Sequence, residues 1–491
     1  MEKNTVVIEK CIENISKVID VSGDVIVPDI KPDIINIINT NGIAYIYKED
    51  VQNKKVRLDG NIDIYVVYLS DTGDTRSIQT VLSFSEYIEN EGITDKTFFK
   101  TNVIVDKIEA KVLNERKISI KATLKLECEL YEEDTIELTT DYKDDDTVEV
   151  LKENINVKSL VGKNTVKSSI KQTINVDSAL SIAEILKINI GLENIENKIS
   201  FNKVLAKADC NINVLFLTED GRVASSSLTE NVMSFIDIAN VTDEHLAKTD
   251  YKIRNMLFKI GTKESRQIDC QVDFEVTCKA YEIKELEIIN DMYGLKKDLE
   301  FSKKEVMLQI ASEELDEKMP INERIVLEDV LDIKDTDERV KVLKRTKSGD
   351  IYNHECEMNI CFYYDADSKN GLNVKRVDIP FIVKNKQELN DSDFEITRKN
   401  YRVSSENVDC DMEIKIKQRQ NSLKKVNIIS DIKENQETLL NEYKMYMYFV
   451  KPGDTLWNIA KKFKIKVCDL KELNKLESDN LNVGDRLYIM R

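Results

Sequence analysis

Strict alternation of apolar and polar residues distinguishes three segments of the chain: Lys117–Cys128, Gln267–Cys278 and Asn407–Lys417. A period of two is typical of a β-strand with one buried and one solvated face. The second segment begins 150 residues after the first, and the third begins 140 residues after the second. This spacing indicates a domain that occurs three times.

Two further features recur around each alternating strand. Before it, alternating runs flank a polar, glycine-containing tip, which predicts a β-hairpin because glycine adopts positive φ easily. The tips are Ser70–Gly73, Thr218–Gly221 and Asp365–Gly371. After it, a second strand is predicted at Thr135–Thr139, Leu286–Ile289 and Val426–Ile429. We therefore predict a mainly β chain with β-rich domains at 1–150, 151–300 and 301–430.

Other stretches lack this alternation. Ser302–Lys318 is charged and rich in helix-forming residues, which predicts a helix before the third copy. Asp141–Asp146 is acidic and is expected to be a solvated junction. Residues 431–447 are interpreted as a linker, because Asp431–Glu442 is charged and shows no strand pattern.

The hairpin region of the first copy is preceded by Pro28–Ile34, whose two prolines favour extended backbone around them. Acidic residues occupy the corresponding position of each copy, at Asp33, Glu184 and Asp329. They are interpreted as structural and not as catalytic, because none has a partner at a fixed spacing for general acid/base chemistry.

Composition narrows the functional classes. The chain has 491 residues, with 72 basic against 90 acidic residues and a net charge of −18. This balance argues against nucleic acid as a ligand, because phosphate binding needs concentrated Lys and Arg. The only histidines are His245 and His354, and no metal or cofactor motif is present. We therefore predict a protein that is not an enzyme and has no cofactor.

The expected compartment is the cytoplasm. The first apolar run, Val6–Ile8, is too short for a signal peptide, and the uncharged stretch Ile34–Tyr47 is too polar to span a bilayer. The nine cysteines are scattered, and four lie on the apolar faces of the repeated strands. These four are Cys128, Cys270, Cys278 and Cys410. We interpret them as reduced core thiols.

The last 44 residues follow a different pattern. Tyr448–Val450 predicts a strand, Gly453 a turn, and Asp454 or Thr455 the N-cap of a helix with apolar residues at helical spacing. A second helix is predicted at Val467–Leu473, and a returning strand ends at Ile489. The module at 448–491 is thus predicted to have the order β-α-α-β.

Over Tyr448–Ile489 the module resembles the LysM domain, from its Tyr-x-Val start through Gly453-Asp454-Thr455-Leu456 to Leu487-x-Ile489. The resemblance implies a shallow groove between the loop after the first strand and the loop after the second helix. It assigns partner binding to the residues of those loops, which are Gly453, Asp454, Thr455, Leu456, Trp457, Asn474, Lys475 and Leu476. Trp457 either contacts a partner or covers the helix.

The three copies followed by a LysM module resemble the SipL family of spore coat morphogenetic proteins, whose repeats are SPOCS domains. Pro28–Ile34 is the best-matching stretch of the repeats. The resemblance implies a mother-cell cytosolic adaptor, recruited to the forespore surface, that binds the coat basement-layer ATPase through its LysM module. It also implies further coat proteins as partners of the repeats. The alternative is a cortex protein that binds N-acetylglucosamine polymers.

The charge of the module bears on this choice. Residues 448–491 contain nine basic and six acidic residues, so the module carries +3 while the rest of the chain carries −21. A basic module on an acidic body is expected to be attracted to an acidic protein surface. Alternatively, the lysines between 461 and 466 only solvate a helix and the loop after it.

Overall fold

The chain folds into a mainly β structure, as the sequence predicts. The computed structural model describes residues 2–490, except 95, 143–146, 178, 262–265, 311–315, 367–368, 387, 405, 418–421 and 438–444. Asp144, Asp145 and Asp146 of the predicted junction lie outside the described residues.

Three consecutive units share one strand connectivity. The strands of the first unit are β1 (Glu2–Ile26), β2 (Ile34–Gln52), β3 (Lys55–Ser70), β4 (Thr75–Glu89), β5 (Phe98–Asn114) and β6 (Lys117–Asp141). Those of the second are β7 (Val148–Asn175), β8 (Ile182–Ser200), β9 (Lys203–Thr218), β10 (Val223–Asp237), β11 (Leu246–Ile260) and β12 (Gln267–Gly294). Those of the third are β13 (Lys297–Ile310), β14 (Glu317–Val326), β15 (Val330–Ser348), β16 (Ile351–Ala366), β17 (Lys369–Asn385), β18 (Phe394–Ser404), β19 (Asn407–Ile416) and β20 (Ser422–Glu437), with a 3-10 turn at Asp391–Asp393.

Each unit contains two sets of three antiparallel strands. One set has the order β1-β6-β5, repeated as β7-β12-β11 and β14-β19-β18. Strand β7 also pairs with β13, so the set of the second unit continues through β13 to β20 in one five-stranded sheet. The other set is a meander with the order β2-β3-β4, repeated as β8-β9-β10 and β15-β16-β17. The predicted alternating strands are β6, β12 and β19, and each is the middle strand of its set of three. The equivalence of these three strands is therefore confirmed.

The apolar side of each alternating strand faces the core of its own unit. Cys128, Cys270, Cys278 and Cys410 are all buried there, as predicted. Burial raises the pKa of the Cys128 and Cys410 thiols to about 12, so both are protonated at neutral pH. The thiols act as small apolar groups in the core.

The hairpin tips are confirmed in the first two units. Gly73 and Gly221 have φ of +83° and +84°, which only glycine adopts without strain. The prediction of a tip at Asp365–Gly371 is too broad, because β16 extends to Ala366 and Gly371 lies within β17. Gly371 also has a positive φ, of +90°, and it is needed for a second reason. A Cβ there would approach Thr75 Oγ1 of the first unit to 2.6 Å.

Each unit has a long β-hairpin arm, and the arms correct three predictions. Strands β1, β6, β7 and β12 have 25 to 28 residues, so Thr135–Thr139 and Leu286–Ile289 continue β6 and β12 instead of forming separate strands. In the third unit the arm consists of separate strands, β13 paired with β20. Ser302–Ile310 is therefore strand and not helix, and the end of the predicted helix, from Glu317, belongs to β14. Of the predicted linker, 431–437 belong to β20 and 445–447 to the strand Met445–Phe449. Residues 311–315 and 438–444 of the two predictions lie outside the described residues.

The reason for these corrections is a shared core between the arms. Val306 and Leu308 of β13 are buried on alternate positions, and tertiary packing of this kind overrides helix propensity. The arm core consists of Val6, Ile8, Ile136, Leu138, Ile155, Val157, Ile288, Val306, Leu308, Val426 and Ile428. All three units contribute to it, so the arms join the units into one body.

A second contact joins the units at their meander sheets. Its apolar residues are Val67, Leu186, Leu215, Leu217, Val223, Tyr363 and Leu372. Beside it, the Tyr363 hydroxyl donates to Asn41 Oδ1 at 2.6 Å and accepts from Asn39 Nδ2 at 3.0 Å. Lys187 is buried and pairs with Asp335 and Asp337 at 2.6 and 2.5 Å. Each unit therefore contacts both of the others.

The C-terminal module has the predicted β-α-α-β order. Its elements are β21 (Met445–Phe449), α1 (Leu456–Phe463), α2 (Val467–Asn474) and β22 (Arg486–Met490). Strands β21 and β22 pair in an antiparallel manner, and one side of this sheet packs on both helices. No helix in the described part of the chain is long and apolar enough to cross a membrane.

Candidate binding surfaces of the C-terminal module

The first predicted loop is held by its own polar residues. Gly453 has φ of +87° and makes the turn. Asp454 accepts hydrogen bonds from the Tyr448 hydroxyl and the Lys451 amide, both at 2.8 Å. The Thr455 hydroxyl accepts from the Asn458 amide and so caps α1. These bonds fix the loop geometry, and Gly453 and Thr455 remain exposed.

The second loop is tied to the sheet by Asn474. Its side chain accepts from the Tyr488 amide at 2.6 Å and donates to the Tyr488 carbonyl at 2.7 Å. Lys475 follows in the left-handed region, ends α2 and is exposed. Leu476 and Trp457 both pack against the apolar core that contains buried Leu456. The structure thus brings apolar residues of both loops together and leaves Gly453, Thr455 and Lys475 accessible.

Trp457 contacts the body of the protein. Its indole N–H donates to Asp291 Oδ2 at 2.8 Å, and its ring meets Tyr293 edge to face at a centroid distance of 4.9 Å. The Tyr293 hydroxyl donates to the carbonyl of Ile465 at 2.7 Å. Asp291 and Tyr293 lie near the end of β12, in the arm of the second unit. Trp457 therefore anchors the module to that arm.

Asp291 is the electrostatic centre of this contact. The Lys461 ammonium approaches its two oxygens at 2.6 and 2.8 Å, and Lys303 approaches at 2.8 Å. Burial alone would raise the pKa of Asp291, but the hydrogen bonds from Lys303, Lys461 and Trp457 outweigh burial and lower it to about 2. The carboxylate is therefore ionised at neutral pH and satisfied by donors from the module and the arms.

Two weaker contacts surround this centre. Lys464 pairs with Asp298, whose side chain is 60% exposed. The amide of Val467 donates to Glu149 at 3.4 Å. Together these contacts use α1 and the start of α2, so two of the lysines that were interpreted as steering charges are paired within the chain. Sequence reasoning missed Asp291, although one signal was visible: a single acid within the apolar run Ile288–Tyr293.

The acids considered above for catalysis have structural contacts. Asp33 pairs with Arg116 at 2.9 Å, and the same guanidinium donates to the carbonyls of Val27, Pro28 and Lys31. Glu184 pairs with Lys31 at 2.9 Å and accepts from the Ser77 amide, which joins the first and second units. Asp329 has φ of +56° and occupies a turn. These roles agree with the structural interpretation.

Comparison with known proteins identifies two domains in the chain. The LysM domain family matches residues 448–489, and the family described as SipL, SPOCS domain matches residues 33–113. The SPOCS match covers β2 to β5 of the first unit almost from end to end. Both are non-catalytic binding domains, and their combination is that of SipL-like, spore coat-associated proteins.

One curated relative is the uncharacterized protein YkzQ of Bacillus subtilis (strain 168). It is 51% identical over 43 residues, which are 9% of this chain and 57% of that protein. The chain thus spans little more than half the length of this relative. No solved structure matches the chain.

Proposed function

Because the chain is SipL-like, with a SPOCS domain and a C-terminal LysM domain, we propose that it is a non-enzymatic morphogenetic adaptor. It acts in the mother-cell cytoplasm and links the spore coat to the forespore surface. Its LysM module binds the coat basement-layer ATPase, and its three-unit body recruits further coat proteins.

The single observation that supports this proposal most is the division of the chain into a body of three joined units and one small module. The arm core and the meander contact hold the three units together. The module carries +3 against −21 on the rest of the chain, and of its nine basic residues Lys461 and Lys464 pair with Asp291 and Asp298 of the body. A basic module on an acidic body favours an acidic protein partner, since like charges disfavour contact with the body.

Within the module, we assign the ATPase contact to the two loops. Gly453, Thr455 and Lys475 are the exposed members of the predicted set. Asp454, Leu456, Asn474 and Leu476 support the loops, and Trp457 holds the module on the body. Lys475 supplies the only charge at the exposed positions, so it is the residue that should steer an acidic partner.

The second candidate function is binding of N-acetylglucosamine polymers. The observation in its favour is that the same loops line the glycan groove implied by the LysM resemblance, and that Gly453 and Thr455 are open to solvent. Sugar recognition rests on hydrogen bonds and stacking to aromatic rings. Trp457, the one tryptophan of the chain, is engaged by Asp291 and Tyr293 instead.

Binding kinetics of the immobilised full chain test the proposal. We expect the coat ATPase to bind, and Lys475→Glu to slow its association because a steering charge is reversed. The matched control is Lys203→Glu, the same change at a 60% exposed lysine of the body. Equal effects of the two variants, or tight binding of N-acetylglucosamine hexamers without any binding of the ATPase, would overturn the proposal.

A further inference from the structure

The outer side of the β21–β22 sheet exposes a continuous apolar surface. The strand register places Met445 opposite Met490, Met447 opposite Tyr488, and Phe449 opposite Arg486. Alternation puts these six side chains on one face, which we call the outer sheet face. Its five apolar members are between 46% and 67% exposed.

This surface is not part of the core of the module. The opposite side of the same strands supplies the core, where Leu487 and Ile489 are buried and Tyr448 packs against them. Single exposed apolar residues are ordinary, but a contiguous set is typical of an interaction surface. Cross-strand neighbours lie about 5 Å apart, so these side chains form one patch.

Among the residues that the structure describes, docking of the module leaves the outer sheet face open. The contacts to the body come from Trp457, Lys461 and Lys464 of the first helix region and from Ile465 and Val467 beyond it. These residues belong to the helical side of the module. The outer sheet face is therefore available to another molecule while the module stays on the arm.

Charge and dimensions indicate the kind of occupant. The Arg486 guanidinium lies 5.7 Å from the centre of the Phe449 ring, and no carboxylate pairs with it among the described residues. Strands of five residues are about 17 Å long, which matches roughly three turns of an α-helix. Three methionines give the patch the adaptability that helix-binding surfaces use.

We propose that the outer sheet face binds an amphipathic helix of the module's protein partner, with an acidic residue of that helix against Arg486. This proposal rests on the proposed function in one respect, that the partner is the coat ATPase. It adds a second contact surface, on the side of the module away from Trp457.

The test uses the full chain and two probes, the coat ATPase and a designed amphipathic helical peptide with a leucine face and glutamate flanks. We expect Met447→Glu to weaken binding of both at least tenfold, because it puts a charge into the apolar contact. Arg486→Glu should also weaken both and reduce their salt dependence. Val483→Glu is the matched control, since Val483 is 66% exposed and lies outside the face.

The outcomes separate the two proposals. Peptide binding without ATPase binding refutes the proposed function and supports the outer sheet face as a helix site. ATPase binding that is sensitive to Lys475→Glu but not to Met447→Glu or Arg486→Glu overturns the outer sheet face. The outer sheet face is also overturned as a helix site if neither probe binds. The same holds if the chain itself forms a dimer that Met447→Glu converts to monomer. Circular dichroism and Trp457 fluorescence confirm that each variant is folded.

Discussion

Replacement of Asp291 by alanine should release the C-terminal module from the body. The carboxylate accepts hydrogen bonds from Trp457 and Lys461 of the module and binds Lys303 of the third arm. Its removal leaves the indole N–H without an acceptor and brings two ammonium groups together without a counter-charge. Both effects oppose docking.

The size of the effect follows from the pKa of Asp291. The pKa falls from 3.8 to about 2, and each unit corresponds to about 1.4 kcal/mol. With the cost of burial included, the surroundings of Asp291 therefore stabilise the ionised carboxylate by about 2 kcal/mol net, and Lys303 contributes a part that does not depend on docking. We expect the docking equilibrium to shift by roughly tenfold to 30-fold towards the released state.

Intrinsic fluorescence measures this shift directly, because Trp457 is the only tryptophan in the chain. In Asp291→Ala we expect an emission maximum at longer wavelength and stronger quenching by acrylamide, since the indole becomes solvated. Asp298→Ala is the matched control. Its ion pair with Lys464 is largely exposed, and such pairs contribute only about 0–1 kcal/mol.

The reasoning fails if Asp291→Ala changes the emission maximum and the acrylamide quenching no more than Asp298→Ala does. It also fails if the wild-type emission already corresponds to a fully solvated indole. In either case Trp457 would not be held by the arm, and its assignment as the anchor of the module would be wrong.

Three further predictions concern the body. Asp63 is buried, its Oδ1 has no hydrogen-bond partner in the described part of the chain, and burial raises its pKa to about 6. Its ionisation therefore costs stability as pH rises from about 4 to 6, so Asp63→Asn should stabilise the protein at pH 8 by up to about 3 kcal/mol. A gain in unfolding free energy that did not shrink towards pH 4 would contradict this. Cys278→Ser should cost roughly 1–3 kcal/mol of unfolding free energy, whereas Cys468→Ser, at an exposed position, should cost almost none; equal costs in urea denaturation would count against a buried thiol. Leu308→Ala should cost about 2–5 kcal/mol and its partly exposed neighbour Met307→Ala much less, and the reverse order would be inconsistent with strand β13.

The structure could be predicted from the sequence where the pattern that determines it is local. Alternation over Gln267–Cys278 predicted a strand and its buried face, and the spacing of the three copies predicted equivalent positions for β6, β12 and β19. The order of the LysM module followed from turn chemistry at Gly453 and helical spacing after it. In each case the residues that decide the structure are close together in the chain.

The arms and the docking contact could not be predicted in this way, because they depend on residues far apart in sequence. Val306 and Leu308 are apolar residues at alternate positions, but in the sequence the helix-forming residues around them gave the stronger signal. The strand forms because the arm core supplies packing partners for both residues. Trp457 lies 166 residues from Asp291, and no local pattern connects the two. The role of Trp457 was therefore open in the sequence, and the structure assigns it to the body.

The most direct test of the adaptor proposal is the equilibrium affinity of the full chain for two ligands as a function of salt. At about 0.15 M salt, charges more than about 8 Å apart are already screened. The account predicts that the coat ATPase binds, that its affinity falls as salt rises further, and that N-acetylglucosamine oligomers bind weakly or not at all. Tight, salt-independent binding of the oligomers together with no binding of the ATPase would contradict it.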